Sequence, residues 1–128
     1  MIYPSLSASL AQLQALANFL DTGSENATFV FYDDTKPVDT TIAANDTAKL
    51  VTCTLPKPCF KQVLATGVEL NPSDTATVIK TGTATWVRLY NGAGEAVADF
   101  EVGVDLQMAS TDLTIGGTLS MPSIIFEV

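Results

Sequence analysis

The sequence predicts an all-β fold: a single-domain antiparallel β-sandwich of about eight short strands, Ig-like or jelly-roll-like, with one N-terminal α-helix. Three observations predict it. Short runs alternate in side-chain character with a period of two, as strands do. Turn signals containing Gly, Pro, Asn and Asp separate these runs about every 8 to 12 residues. One stretch alone, ahead of the first strand run, repeats its leucines with the 3.6-residue period of a helix. The chain has 128 residues, enough for one domain that buries roughly two thirds of its unfolded surface. Residues 1–23 form the helical segment and a potential docking arm; residues 24–128 form the sandwich.

The helix covers residues 5–20. Ser5 or Ser7 can cap its N-terminus through a side-chain oxygen. Leu6, Leu10, Leu13, Ala17 and Leu20 form one stripe, which Leu16 and Phe19 widen. Asp21, Thr22 and Gly23 end it, with Gly23 suited to the left-handed position after a helix. The stripe fits two roles equally, packing on the chain's own sandwich or gripping a neighbouring subunit.

Residues 27–32 make a strand with apolar residues on both faces, Phe29 and Phe31 on one and Val30 and Tyr32 on the other, so both faces are expected to be buried. Residues 33–47 lack periodicity and read as a long surface loop, a kind of segment that is often functional. Residues 48–55 return to strand and stop at Pro56-Lys57-Pro58, because proline cannot donate to a ladder. A short strand is expected at residues 67–70, a turn at 71–74 and another short strand at 76–79. Residues 83–102 form a hairpin around Asn91-Gly92-Ala93-Gly94, residues that tolerate tight reversal. Trp86 sits mid-strand, where its ring can anchor a sheet-on-sheet core together with Phe29, Phe31 and Phe100. Residues 104–111 are poorly patterned. A strand at 112–115 closes at Gly116-Gly117, and runs at 118–121 and 123–128 finish the chain, with Pro122 marking an edge or bulge.

Charge and composition narrow the function. Six Lys and Arg stand against fourteen Asp and Glu, for a net charge of −8. Phosphate binding needs clustered cations, so nucleic acid and anionic membrane surfaces are not expected partners. No apolar run approaches the roughly 18 residues that span a bilayer. The first residues carry neither a basic segment nor a continuous apolar one, so no secretory signal is expected and folding in a cytoplasm is.

Reactive constellations are scarce. The chain contains no His, which removes the usual Ser/His and Cys/His nucleophile pairs. No nucleotide-binding or hydrolase fingerprint occurs. Cys53 and Cys59 are too few and too widely spaced for zinc; they read as buried thiols, with a disulfide across the Pro-rich turn as the alternative. Asp33, Asp34 and Asp39 match no calcium loop and read as solvated loop acids. Asp99 and Glu101 share a strand face at a glycosidase-like separation, a pairing that any acidic strand produces. Arg88, the single arginine, is expected to stack on an aromatic ring or pair with Asp99 across the hairpin, with a partner or sugar contact as runner-up. Tyr3, Tyr32, Tyr90 and Trp86 could line a carbohydrate groove but read first as core. No catalytic residue, cofactor or metal is therefore expected.

The order of segments carries a further signal. A Leu-rich helix is followed by Asp21-Thr22-Gly23-Ser24-Glu25-Asn26-Ala27-Thr28 and Phe29-Val30-Phe31-Tyr32. A Thr-Lys36-Pro37 loop, Leu50-Val51-Thr52-Cys53-Thr54-Leu55-Pro56 and a Phe60 turn come next. Gly82-Thr83-Ala84-Thr85-Trp86-Val87-Arg88-Leu89-Tyr90 and Asp112-Leu113-Thr114-Ile115-Gly116-Gly117 complete the pattern. Over nearly its whole length the chain resembles a family of small all-β, virion-associated proteins of tailed bacteriophages and prophages. It departs at Pro56-Lys57-Pro58-Cys59, where relatives are rich in Asp, Gly or Ala and lack cysteine. The resemblance implies a structural protein of the virion, made in the bacterial host cytoplasm and not an enzyme. Its implied partners are other capsid or tail proteins and further copies of itself. Capsid decoration or cement is the first expectation, a tail, tail-tip or fibre-associated protein the second, and a carbohydrate-binding module the third. Within a virion role, the expected interface elements are the helix, through Leu6, Leu10, Leu13, Leu16 and Phe19, and the loop, through Asp33, Asp34, Lys36 and Pro37.

Overall fold

The structure is a computed structural model that describes residues 3–122 and 124–128. Met1 and Ile2, and Ser123 of the expected last strand, lie outside the described residues. Among the described residues the chain forms one α-helix, α1 (Leu6–Leu20), one 3-10 turn (Asp46–Ala48) and eleven strands. The longer strands are β1 (Thr28–Tyr32), β2 (Lys49–Thr54), β3 (Phe60–Val63), β4 (Gly67–Leu70), β7 (Trp86–Tyr90), β8 (Ala96–Glu101) and β11 (Ile124–Glu127). Four strands are two residues long: β5 (Ala76–Thr77), β6 (Gly82–Thr83), β9 (Asp112–Leu113) and β10 (Thr118–Leu119). The fold is all-β with an N-terminal helix, as the sequence predicts.

Two sheets carry the architecture, one ordered β2-β1-β7-β8 and one ordered β11-β4-β3, and every ladder is antiparallel. The short strands pair off separately as β10-β5 and β6-β9. Sandwich describes this arrangement approximately, because the core lies between two unequal sheets. Phe29 and Phe31 of β1, Val51 and Cys53 of β2, and Val87 and Leu89 of β7 belong to one buried cluster with Val68, Leu70 and Ile124 of the second sheet. Phe100 links the layers, its ring 6.2 Å from Phe29 and 6.4 Å from Phe126. Each fully buried Leu or Phe contributes about 1.5–3 kcal/mol of transfer free energy.

The helix begins where the sequence places it. The Ser5 side chain accepts from the Ala8 N–H at 3.2 Å, satisfying one otherwise unpaired donor. Its C-terminal half lies against β3 and β4, and Ala17 and Leu20 are fully buried in the main core. Gly23 follows with φ +105°, and a Cβ there would fall 2.4 Å from the backbone of Gly92. That close approach lets the Gly92 N–H reach the Leu20 carbonyl at 3.1 Å, so the β7–β8 turn closes the end of α1.

Three expectations change. Eleven strands stand where about eight were counted, because two-residue ladders are too short to show a period. The strand β3 was not expected: Phe60 is half-buried and Lys61, Gln62 and Val63 are exposed, so no alternation marks it and pairing with β4 creates it. Trp86 is fully buried, yet not between the sheets. It shares a second, smaller cluster with Val30, Tyr32 and Ala48 on the opposite face of the first sheet. The strand pattern carries the signal: Val87 and Leu89 make one side wholly apolar, whereas the Trp86 side also carries Arg88, the side that turns away from the second sheet.

Candidate functional site

Residues 33–47 cross the outer face of the first sheet and are tied to it by a buried polar network. The cross-strand register sets Arg88 opposite Val30 on one side and Asp99 on the other. Arg88 Nε donates to Asp99 Oδ1 at 2.7 Å and Nη2 to Asp99 Oδ2 at 3.0 Å, a bidentate pair with both side chains almost fully buried. Arg88 Nη1 donates to the Ile42 carbonyl at 2.7 Å and Nη2 to the Asp39 carbonyl at 3.4 Å. The guanidinium also lies 5.2 Å from the centre of the Trp86 ring. Trp86 Nε1 donates to Asp34 Oδ1 at 2.7 Å, and the Trp86 ring stacks on Tyr32 at 4.4 Å.

The charge states follow from these contacts. The hydrogen bond to Asp99 holds the Arg88 guanidinium above its ordinary range. Burial, reinforced by the Tyr90 hydroxyl 3.2 Å away, holds Tyr32 above the ordinary phenol range. Hydrogen bonds from Thr41 keep the Asp39 carboxyl below the usual value. Asp33 pairs with Lys80 at 2.9 Å, and Lys36 donates to the neighbouring Pro37 carbonyl at 3.3 Å. The loop acids are thus dispersed onto separate partners. Among the described residues no group of three or more His, Cys, Asp or Glu converges as metal ligands.

The thiols are equally committed. Cys53 and Cys59 are free and buried. Cys59 Sγ donates to the Ala17 carbonyl at 3.4 Å, under α1, and Cys53 Sγ to the Leu119 carbonyl at 3.7 Å. Burial pushes Cys53 up to about 11 and Cys59 up to about 12, so neither supplies a thiolate at neutral pH.

Two grooves open on the surface. One, of about 690 Å³, lies over β1 and β2 and is lined by Thr28, Thr52, Thr54, Tyr90, Glu25 and Asp46 among others. Of the residues named for a carbohydrate groove, Trp86 and Arg88 are sealed under the loop and exposed Tyr3 is not part of this lining, while Tyr90 and the almost fully buried Tyr32 do line it. The other groove, of about 530 Å³, opens beside β11 and is predominantly apolar.

Helix α1 presents the clearest uncovered surface. Along its stripe, Ala17 and Leu20 are 0% exposed, Leu10 and Leu13 are half-buried, and Leu6 is 50% exposed. Flanking the stripe, Leu16 is half-buried and Phe19 is 41% exposed. The stripe continues past the sheet that covers its C-terminal half. On the loop, Asp33, Asp34, Lys36 and Pro37 are half-buried, whereas Val38 and Ile42 stand exposed. Neither Val38 nor Ile42 was singled out from sequence. A usable signal was present for the helix: residues 1–20 contain no Asp, Glu, Lys or Arg, whereas a solvated surface helix carries charges on its outer side.

Compared with family models, curated proteins and solved structures, the chain matches none. Among the described residues no helix is long and apolar enough to cross a membrane.

Proposed function

We propose that this chain is a structural protein of a tailed-bacteriophage particle, acting by protein–protein contacts in many copies, most directly as a decoration or cement of the capsid. The observation that carries the reading is the charge-free helix whose apolar stripe runs out from under its own sheet, leaving Leu6 50% exposed. A chain with a net charge of −8 that leaves a neutral apolar ridge uncovered is built to cover it against another protein. The resemblance in segment order supplies the particle, and the dispersed acids and protonated thiols leave contact as the chemistry the surface offers. A tail, tail-tip or fibre position rests on the same surface features.

The test is recovery from purified particles, with heads and tails separated and the protein quantified by mass spectrometry. Multi-copy recovery in the heads is the expected result. Recovery in tails alone supports the tail position, and absence from both overturns the reading.

A further inference from the structure

The turn that closes α1 contains a chemically labile pair. Of the five asparagines, Asn91 alone stands before a glycine, and asparagine is a thermolabile residue. The lability of the pair is steric. With no Cβ on the second residue, its backbone nitrogen can reach the asparagine Cγ. Packing nevertheless demands a glycine here. A Cβ on Gly92 would fall 2.1 Å from the Glu25 carbonyl oxygen and 2.6 Å from that of Thr22. The close approach that seats the turn on the end of the helix therefore brings the labile dipeptide with it.

In the folded chain both reacting groups are held. The Gly92 N–H donates to the Leu20 carbonyl at 3.1 Å, and the Glu25 N–H donates to the Gly92 carbonyl at 3.1 Å. Asn91 Oδ1 accepts from the Ala93 and Glu95 N–H groups at 3.0 and 2.9 Å, and Asn91 Nδ2 donates to Glu95 Oε1 at 3.3 Å. Asn91 is 2% exposed. Reaction requires the Gly92 nitrogen to give up its proton and swing onto the Asn91 Cγ. The Leu20 carbonyl holds that proton, and the backbone of residues 22–25 blocks the peptide from turning.

We propose that Asn91-Gly92 is a latent deamidation site, held shut by the C-terminal end of α1 and opened when that end lifts. Once freed, the Gly92 nitrogen loses its proton to solvent and bonds to Asn91 Cγ. The Cγ–Nδ2 bond breaks and ammonia leaves. Water then opens the cyclic imide at either carbonyl, leaving aspartate or isoaspartate at position 91. Either product opposes reseating of the helix. Aspartate presents a carboxylate to Glu95 where an N–H donor stood, exchanging a hydrogen bond for like-charge repulsion. Isoaspartate adds a methylene to the backbone just before the N–H that meets Leu20. Release of the helix end thus becomes one-way.

The test is peptide mapping by mass spectrometry on the full chain incubated at mildly alkaline pH. Wild type, Leu20→Ala, Leu13→Ala and Asp99→Ala are compared, each first shown to be folded by circular dichroism, with urea-unfolded wild type as the open reference. Leu13 is half-buried against the main core, so Leu13→Ala carries the comparison if Leu20→Ala fails to fold. Asp99→Ala weakens the Arg88 network on the outer face of the first sheet and controls for general destabilisation. Folded wild type is expected to lose the Asn91 amide at least about ten-fold more slowly than the unfolded chain, and Leu20→Ala at least about ten-fold faster than folded wild type. Leu13→Ala is expected to exceed wild type, and Asp99→Ala to stay near it. Folded wild type reacting at the unfolded rate overturns the proposal, as does a failure of both helix variants to accelerate. Equal acceleration by Asp99→Ala and Leu20→Ala also overturns it, because global unfolding would then open the site. Hydrogen exchange at the Gly92 amide reads the one-way step: faster exchange in modified, refolded wild type is expected, and exchange equal to that of the unmodified chain overturns that step.

Discussion

The helix and the 33–47 loop both lie over apolar surface, and the sequence marks both as interface elements. The structure treats them differently. The loop is fastened to its own sheet by Arg88, Asp99, Asp34 and Trp86, with the pair at 2.7 Å at its centre. Its candidate residues Asp33 and Asp34 are occupied inside the molecule. The helix is fastened most firmly at its C-terminal end, where Ala17 and Leu20 are fully buried and Gly92 closes the last turn. In its first two turns Ser9 is buried and Leu10 half-buried, while Leu6 stands 50% exposed. The contrast teaches that an apolar or irregular stretch states how much surface needs covering, while the position of polar partners decides whether the cover is internal.

The largest expected effect tests the loop side of this contrast. Asp99→Ala leaves the Arg88 guanidinium buried without its carboxylate, and should cost about 3–5 kcal/mol of stability in urea unfolding. A loss below about 1 kcal/mol would mean that the network does not hold the loop.

The helix side is sharpened by a matched pair of truncations. Leu20→Ala empties a fully buried site and should cost about 2–5 kcal/mol. Leu6→Ala, at the uncovered end of the same stripe, should change stability by no more than about 0.5 kcal/mol. Equal costs would place both ends in the core and dissolve the difference.

A smaller effect reads the seal under the helix. The folded Cys59 thiol is pushed up to about 12, whereas a free cysteine titrates near about 8.5. Above that lower value the unfolded chain releases a proton that the folded chain retains, so unfolding is favoured as pH rises. The stabilisation is full below about pH 8.5 and is lost as pH approaches about 12. Urea unfolding at about pH 8 and about pH 10 should show the decline, and Cys59→Ala should make it shallower. An unchanged slope would mean that the thiol titrates freely in the folded state.

Much of the fold was legible because its signals are local. The helix boundaries follow from a capping serine, a 3.6-residue stripe and Gly23, and β1, β2 and the β7–β8 hairpin follow from two-residue alternation and a Gly-rich turn. What was not legible depends on neighbours. Lys61, Gln62 and Val63 form a strand because β4 lies beside them, and the two-residue ladders exist only as pairs. Trp86 went to the wrong face because its large ring outweighed the charge of Arg88 on the same side, although Val87 and Leu89 alone make the wholly apolar side that faces the second sheet. In the candidate site, the Arg88–Asp99 pair was visible as two opposite charges placed across a hairpin. The groove beside β11 was not, since Phe31, Met108, Leu119 and Ile124 come from segments that only the tertiary fold unites. The neutral first twenty residues were readable all along, but their meaning emerges once Leu6 is seen to lie beyond the sheet.

The most direct measurement is the copy number of Leu6→Glu against wild type in purified particles, after both proteins have been shown to melt alike. The account predicts many wild-type copies and a variant depleted at least about ten-fold, the effect of losing about 1.4 kcal/mol of contact. Equal incorporation would contradict it, because the uncovered end of the helix would then be touching nothing that matters for assembly.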